Sequence, residues 1–97
     1  MKYISTRNAE CSYSAPETIV KGIADDGGLF VPSSFPTIDS NFISGFEDLS
    51  YPKRVAKVLH LYMDEFSYEE LLSYAEKAYS RFDGDPCPVV KIEDALF

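Results

Sequence analysis

The chain has 97 residues, of which 45% are hydrophobic and 14% aromatic, and its net charge is −7. This length fits one domain, and the composition is typical of a folded protein rather than a disordered one. An excess of negative charge disfavours nucleic acid as a partner, because it repels phosphate. We expect no membrane span and no secretion signal, hence a cytoplasmic domain in which Cys11 and Cys87 are reduced thiols.

The first third of the chain predicts a short strand followed by a short helix. Met1–Thr6 contains β-forming residues, and Asn8 after it suits a left-handed turn. Ser14 and Glu17 have the spacing of a capping box, in which each side chain bonds the backbone N–H of the other. The helix that they begin is expected to end at Gly22, since glycine tolerates a positive φ.

An Asp-Asp-Gly-Gly sequence follows and predicts a tight turn. The carboxylates of Asp25 and Asp26 can bond nearby N–H groups, and Gly27-Gly28 permits a sharp reversal. Leu29–Val31 is then a short apolar strand, which Pro32 closes. A cation site is a weaker interpretation, because the alternating oxygen ligands of a calcium loop are missing. A phosphate cradle is equally weak, because no helix or lysine follows directly.

The middle of the chain is irregular but apolar. The loop Phe35–Phe46 carries several aromatic and aliphatic residues, and a short helix over Asn41–Glu47 is expected to attach it to the core. Two longer amphipathic helices follow, one after Ser50 and one after a second capping box that starts at Ser67. The second helix is expected to stop at Asp83–Pro86, which contains a glycine and a proline.

Four basic side chains share one face of the first long helix. In an acidic chain such a face is usually solvated, and docking against an acidic partner is the sharper alternative. His60 lies off the apolar stripe, which favours a solvated histidine over a catalytic one. The four residues are Lys53, Arg54, Lys57 and His60.

Together these elements predict an α+β fold. Three to four helices pack with a short N-terminal strand, a central strand at Leu29–Val31 and a C-terminal strand at Val89–Ile92. We find no nucleophile next to a base, no metal-ligand spacing and no glycine-rich loop that enters a helix. The sequence therefore predicts no catalytic, cofactor-binding or metal-binding residue in this chain.

The order of several segments resembles the start of the bacterial threonine synthases. The resemblance covers nearly all 97 residues, although the family commonly has glycine at the position of Asn8 and an aromatic residue near Ala15. The segments that carry it are Met1–Arg7, Gly22–Pro32, Leu49–Tyr51, Ala78–Phe82 and Val89–Phe97.

This resemblance implies that residues 1–97 form the N-terminal domain of an enzyme that depends on pyridoxal 5′-phosphate. Members of the family convert O-phospho-L-homoserine and water into L-threonine and phosphate. Their cofactor binds a lysine in a Phe-Lys-Asp motif, and none of the six lysines here stands in such a motif. The fragment is therefore expected to be inactive alone, and its implied partner is the enzyme's own cofactor-binding domain.

The resemblance also suggests a substrate role for the first turn. Arg7 at the rim of the active-site cleft could attract a phosphorylated substrate, while a surface ion pair with an acidic neighbour is the plainer interpretation. A free-standing acidic protein-interaction domain that uses the Phe35–Phe46 loop is the alternative function, and a small-molecule regulator domain is a weaker one. The candidate rim residues are Ser5, Thr6, Arg7, Asp26, Gly27 and Gly28.

Overall fold

The N-terminal part of the protein is a three-stranded antiparallel sheet with one helix. In a computed structural model that describes residues 1–97, the strands are β1 (Lys2–Ser5), β2 (Asn8–Ser14) and β3 (Phe30–Pro32). Their order in the sheet is β2-β1-β3, so β1 is the central strand. Helix α1 (Ala15–Lys21) follows β2 directly. The sheet and this helix make the first of two layers.

Strand β2 is absent from the sequence-based prediction. Its residues have weak strand propensity, and the connecting turn has no glycine to announce a hairpin. The pairing is also irregular: between Tyr3↔Tyr13 and Ser5↔Asn8 the two strands advance by different numbers of residues. The expected left-handed turn at Asn8 is wrong, because Asn8 has a negative φ and begins β2.

Local signals set the limits of α1 as predicted. Both bonds of the capping box are present, with the Ser14 backbone N–H donating to the Glu17 carboxylate at 2.8 Å. Gly22 ends the helix with φ of 78°, a conformation that glycine adopts at little cost. Ala15 is 1% exposed and packs this end of the helix onto the sheet.

The second layer is a pair of helices that pack against each other. After the one-turn helix α2 (Ser40–Ser44), the chain forms α3 (Tyr51–Tyr62) and α4 (Tyr68–Tyr79). Ring pairs close the two ends: Tyr51 meets Tyr79 edge-on at 4.9 Å, while Phe66 meets Tyr74 at 6.2 Å. Each helix is too short or too polar to cross a bilayer. The α+β class and four helices are thus confirmed.

The C-terminal strand predicted at Val89–Ile92 is wrong. These residues form no ladder, and the segment contains only an isolated bridge between Glu93 and Leu96. An apolar run becomes a strand only when a neighbouring edge accepts its backbone bonds, and here no strand lies beside it. Val89 is consequently 80% exposed. The central strand is confirmed with its limits moved by one residue, so that Leu29 precedes it.

The basic face predicted on α3 is only partly solvated. The Arg54 guanidinium donates to the backbone carbonyls of Leu49 at 3.0 Å and Glu47 at 3.3 Å. The Lys57 ammonium lies 4.9 Å from the ring centre of Phe42 and 5.2 Å from that of Phe46. Both cations therefore attach the segment around α2 to α3, through carbonyl bonds and cation–π contacts.

Polar contacts join the two layers at one corner, where α3 turns into α4. The Tyr3 hydroxyl donates to the Tyr62 carbonyl at 2.7 Å, and the Ala15 N–H donates to the Glu65 carboxylate at 3.4 Å. Burial is the main reason why the pKa of Tyr3 is raised, with Glu65 adding a smaller contribution. The backbone nitrogen of Met1 also bonds the Asp64 carboxylate. The two layers are thus joined by polar contacts at this corner.

The interior of the protein is thin. Its accessible surface is 7155 Å², against about 5,600 Å² for a compact monomer of this mass. Its radius of gyration is 16.3 Å, compared with about 12.5 Å for a compact domain of this length. The buried apolar residues are four alanines and one leucine, and no large side chain is fully buried. The chain therefore exposes surface that a self-sufficient domain would cover.

The serines that precede α4 and α3 allow a matched test of capping. The Ser67 hydroxyl accepts the Glu70 N–H at 3.1 Å, whereas Ser50 makes no side-chain cap bond. Ser67→Ala is expected to lower the free energy of unfolding by about 1 kcal/mol. Ser50→Ala should change it by less than about 0.5 kcal/mol. Urea unfolding followed by circular dichroism measures both, and equal losses would contradict the assigned caps.

Candidate functional site

The turn before β3 folds back onto the end of β1 around one carboxylate. The Ser5 hydroxyl donates to Asp26 Oδ1 at 2.7 Å, and the Gly28 N–H donates to the same oxygen at 2.8 Å. Thr6 and Leu29 bond each other through their backbones at 2.9 Å. The Leu29 N–H also donates to the Thr6 hydroxyl at 3.0 Å. We call this group, Ser5 to Arg7 with Asp26 to Gly28, the turn cluster.

Glycine is required at one position of the cluster because of space. Gly28 and Ser5 are both buried, and a Cβ on Gly28 would overlap the Ser5 hydroxyl and lie 3.0 Å from the Thr6 hydroxyl. Gly27 has φ of +80°, and a Cβ there would lie 2.9 Å from Arg7 Nη1. The Gly-Gly pair therefore serves close packing at one residue and backbone conformation at the other.

Neither carboxylate of the Asp-Asp pair is free to ligate a cation. Hydrogen bonds from the Ser5 hydroxyl and then the Gly28 N–H hold the pKa of Asp26 below its usual value, with a smaller contribution from the charge of Arg7. Asp25 instead pairs with Lys21 at 2.7 Å. Each carboxylate thus has one oxygen bound by donors of this chain, which favours the architectural interpretation of the turn.

Arg7 is the one exposed cation of the turn cluster. Its Nη1 donates to the backbone carbonyl of Asp26 at 3.0 Å, which fixes the side chain against the turn. No carboxylate lies within 4.0 Å of its guanidinium, since the ion pairs involve Met1, Lys21 and Lys91. The expected surface ion pair of Arg7 is therefore wrong. The guanidinium is held in place and keeps donors that an anion could use.

All six candidate rim residues lie in the turn cluster. They are not equivalent, because Ser5 and Gly28 are buried while Arg7 is exposed. The sequence did not indicate Cys11, whose sulfur accepts the Ser5 N–H at 3.1 Å and thereby fixes the other side of the turn. Both thiols are free, with Cys11 half-buried and Cys87 exposed.

A family model described as "Threonine synthase N terminus" matches residues 2–79. The threonine synthase of Schizosaccharomyces pombe is 38% identical over 84 residues, which are 84% of this chain and 16% of that protein. The threonine synthase of Corynebacterium glutamicum is 30% identical over 105 residues, covering 100% of this chain and 22% of that protein. "Threonine synthase-like 2" of Homo sapiens is 32% identical over 84% of this chain and 17% of its own length.

The fold of the chain is also similar to part of a solved threonine synthase structure. The crystal structure of threonine synthase from Escherichia coli superposes with a TM-score of 0.84 at 26% sequence identity, covering 96% of this chain and 21% of that one. The chain thus spans between 16% and 22% of the length of these relatives. Both layers of the fold recur as one part of a much larger protein.

The close approach at Gly28 generates a stability prediction. Gly28→Ala is expected to cost about 3 kcal/mol or more, because the new methyl group displaces the Ser5 hydroxyl and breaks its bond to Asp26. The control is Gly84→Ala: Gly84 has φ of +77° with no atom within 4 Å of its Cβ position. Backbone strain alone should cost about 1 kcal/mol there. Urea unfolding of both variants checks this, and a Gly28→Ala loss no larger than the control would contradict it.

Proposed function

The chain belongs to the threonine synthase family as its N-terminal domain, and on that premise we propose that it supports the catalytic part of a full-length threonine synthase. That protein converts O-phospho-L-homoserine and water into L-threonine and phosphate, as a lyase of threonine biosynthesis that depends on pyridoxal 5′-phosphate. The proposal includes a cytoplasmic location, which suits two free thiols. The family match over residues 2–79 is the observation that carries it.

The large exposed surface of the domain favours a supporting role. It exposes about 1,600 Å² more surface than a compact monomer of its mass. Interfaces between domains of one chain commonly bury about 600–1,500 Å². The excess is therefore of the size that docking on a second body would remove. A domain of this kind gains stability from its neighbour and in turn fixes the neighbour's position.

The lysines of this chain do not suit a covalent link to pyridoxal phosphate. A lysine that forms a Schiff base is usually partly desolvated, which lowers its pKa. Here Lys21 pairs with Asp25, Lys91 pairs with Asp94, and Lys57 lies over two aromatic rings. The pairing with Asp25 raises the pKa of Lys21, which is opposite to what a nucleophilic amine needs. The remaining three lysines are exposed. No catalytic step is assigned to this chain.

Within the proposal, Arg7 is the residue of this domain that meets the substrate. Its guanidinium has a fixed position and no acidic partner, and a guanidinium binds phosphate through paired N–H donors. Ser5 and Gly28 are buried and, with Gly27, form the packed turn against which the Arg7 side chain lies. The other members, Thr6 and Asp26, bond the same turn.

The free-standing interaction domain is the less favoured alternative. It requires an accessible Phe35–Phe46 loop, and Phe35 is indeed 82% exposed. However, the Phe42 and Phe46 rings pack against each other at an angle of 59° with their centres 5.1 Å apart, and Lys57 lies over both. A small-molecule regulator domain would use a cavity of about 460 Å³ whose lining includes Arg54 and Asp85. The family match favours a domain of a larger enzyme over both the interaction domain and the regulator domain.

The activity of the whole protein tests the proposal directly. The full-length protein, loaded with pyridoxal phosphate, should release phosphate from O-phospho-L-homoserine and form L-threonine in equal amounts. Residues 1–97 alone should do neither under the same conditions. Phosphate release and amino-acid analysis measure both products. Both products are measured because one relative carries the name "threonine synthase-like" rather than threonine synthase. Phosphate release without threonine would contradict the proposed reaction. Turnover by residues 1–97 alone would contradict the supporting role.

The role of Arg7 has its own test in the full-length enzyme. Arg7→Ala should lower kcat/KM for O-phospho-L-homoserine by about tenfold or more, mainly through KM, because a charged hydrogen bond to phosphate is lost. Arg7→Lys should retain part of the activity. Arg81→Ala, which removes an exposed cation beyond α4, is the control. A lower Tm with unchanged KM in Arg7→Ala would mean that Arg7 only supports the turn.

A further inference from the structure

An open apolar groove lies between the two layers. It runs where α1 faces the α3–α4 pair, has a volume of about 260 Å³, and is lined by ten residues that are all hydrophobic. We call it the interlayer groove. Ile19 is its one residue from α1, and the others belong to α3, α4 and the connection between them, including Val55, Leu59, Met63, Phe66 and Tyr74.

The groove exposes side chains that a folded protein normally buries. Ile19 is 58% exposed and Tyr74 is 54% exposed, although both lie on the apolar stripes of their helices. Among the residues that line the groove, only Leu71 and Ala75 are buried. Domains are built from layers that cover each other's apolar faces. On the side that faces the sheet layer, the α3–α4 pair is covered only at the polar corner.

We propose that the interlayer groove is the docking site for the larger part of the same polypeptide, which inserts a ridge of uncharged aliphatic or aromatic side chains into it. The inference deepens the proposed function and depends on it, because it assumes that a threonine synthase catalytic body follows in the full-length protein. It assigns the interface to residues of α1, α3 and α4 rather than to the loop before α2.

Three observations select this occupant. The fold covers only 21% of the E. coli threonine synthase chain, so most of that protein lies outside it. The surface excess of about 1,600 Å² is slightly larger than the roughly 600–1,500 Å² that two domains of one chain commonly bury together, so it is large enough to include such an interface. A second copy of this chain fits less well, because each copy has a net charge of −7 and like charges oppose association.

The competing apolar surfaces are less suited to docking. The Phe35–Phe46 loop exposes Phe35, Ile38 and Ile43, while the Phe42 and Phe46 rings lie under Lys57. Val89 and its neighbours lie in a segment without regular structure. Ordering such a segment costs conformational entropy that a groove between helices has already lost. The preformed and concave surface is therefore the better receptor for a complementary ridge.

Thiol labelling of the full-length enzyme tests the proposal. Ile19→Cys and Tyr74→Cys place a thiol on opposite sides of the interlayer groove, and Glu76→Cys is the matched control on the exposed face of α4. Glu76 lies about 200° around the helix from Tyr74. Peptide-resolved mass spectrometry separates each new thiol from Cys11 and Cys87. Both groove thiols should react with a maleimide at least tenfold more slowly than the control.

The outcomes separate the occupants. Groove thiols that react as fast as Glu76→Cys would overturn the proposal. Protection that disappears on hundredfold dilution would assign the groove to a second copy and would also overturn it. Protection of a Phe35→Cys thiol, with both groove thiols reactive, would move the interface to the loop. Two groove variants are used so that the test can still be read if one of them does not fold.

The activity of the same samples distinguishes this inference from the proposed function. Threonine formation with reactive groove thiols would leave the proposed function intact and refute the groove. Protected groove thiols in a protein that forms no threonine would refute the proposed reaction while the docking surface stands. Wild-type activity in the Glu76→Cys control shows that the labelled enzyme is folded.

Discussion

The hydrogen bond from the Ser5 hydroxyl to the Asp26 carboxylate holds together the parts of the sheet layer that are far apart in sequence. It joins the end of β1 to the turn before β3, at 2.7 Å and between residues 21 positions apart. The Gly28 N–H shares the same oxygen, and Gly28 can do so only because it has no Cβ. Strand β3 therefore meets β1 in one register. The bond from the Arg7 guanidinium to the Asp26 carbonyl depends on this position of the turn.

A thin interior is the second physical property of this domain. Alanine residues such as Ala56 and Ala75 make the closest contacts, and the larger apolar side chains stand half-exposed around them. Burial of apolar surface provides most of the free energy of folding, so a chain with this much exposed apolar surface is only marginally stable by itself. Polar contacts at one corner keep its layers in place. In the proposal above, docking on the catalytic part of the enzyme supplies the remaining stability.

These two properties fit a protein whose chemistry resides elsewhere. The turn cluster uses its carboxylate to fix backbone geometry, and its one unpaired cation faces outward. The interlayer groove faces outward as well, and all of its lining is apolar. One surface thus suits an anionic substrate and the other suits a protein ridge.

The sequence determined what depends on residues close together in the chain. Capping boxes at Ser14 and Ser67, the helix stop at Gly22 and the tight turn at Asp26 all follow from interactions that span a few positions. The resemblance to threonine synthases suggested the six rim residues, yet the sequence could not predict their division into buried supports and one exposed guanidinium. Tertiary structure alone decided that β2 forms with weak strand residues, because β1 provides its backbone partners. It also decided that Val89–Ile92 stays unpaired and that an apolar stripe stays uncovered, since both depend on which surfaces happen to face each other.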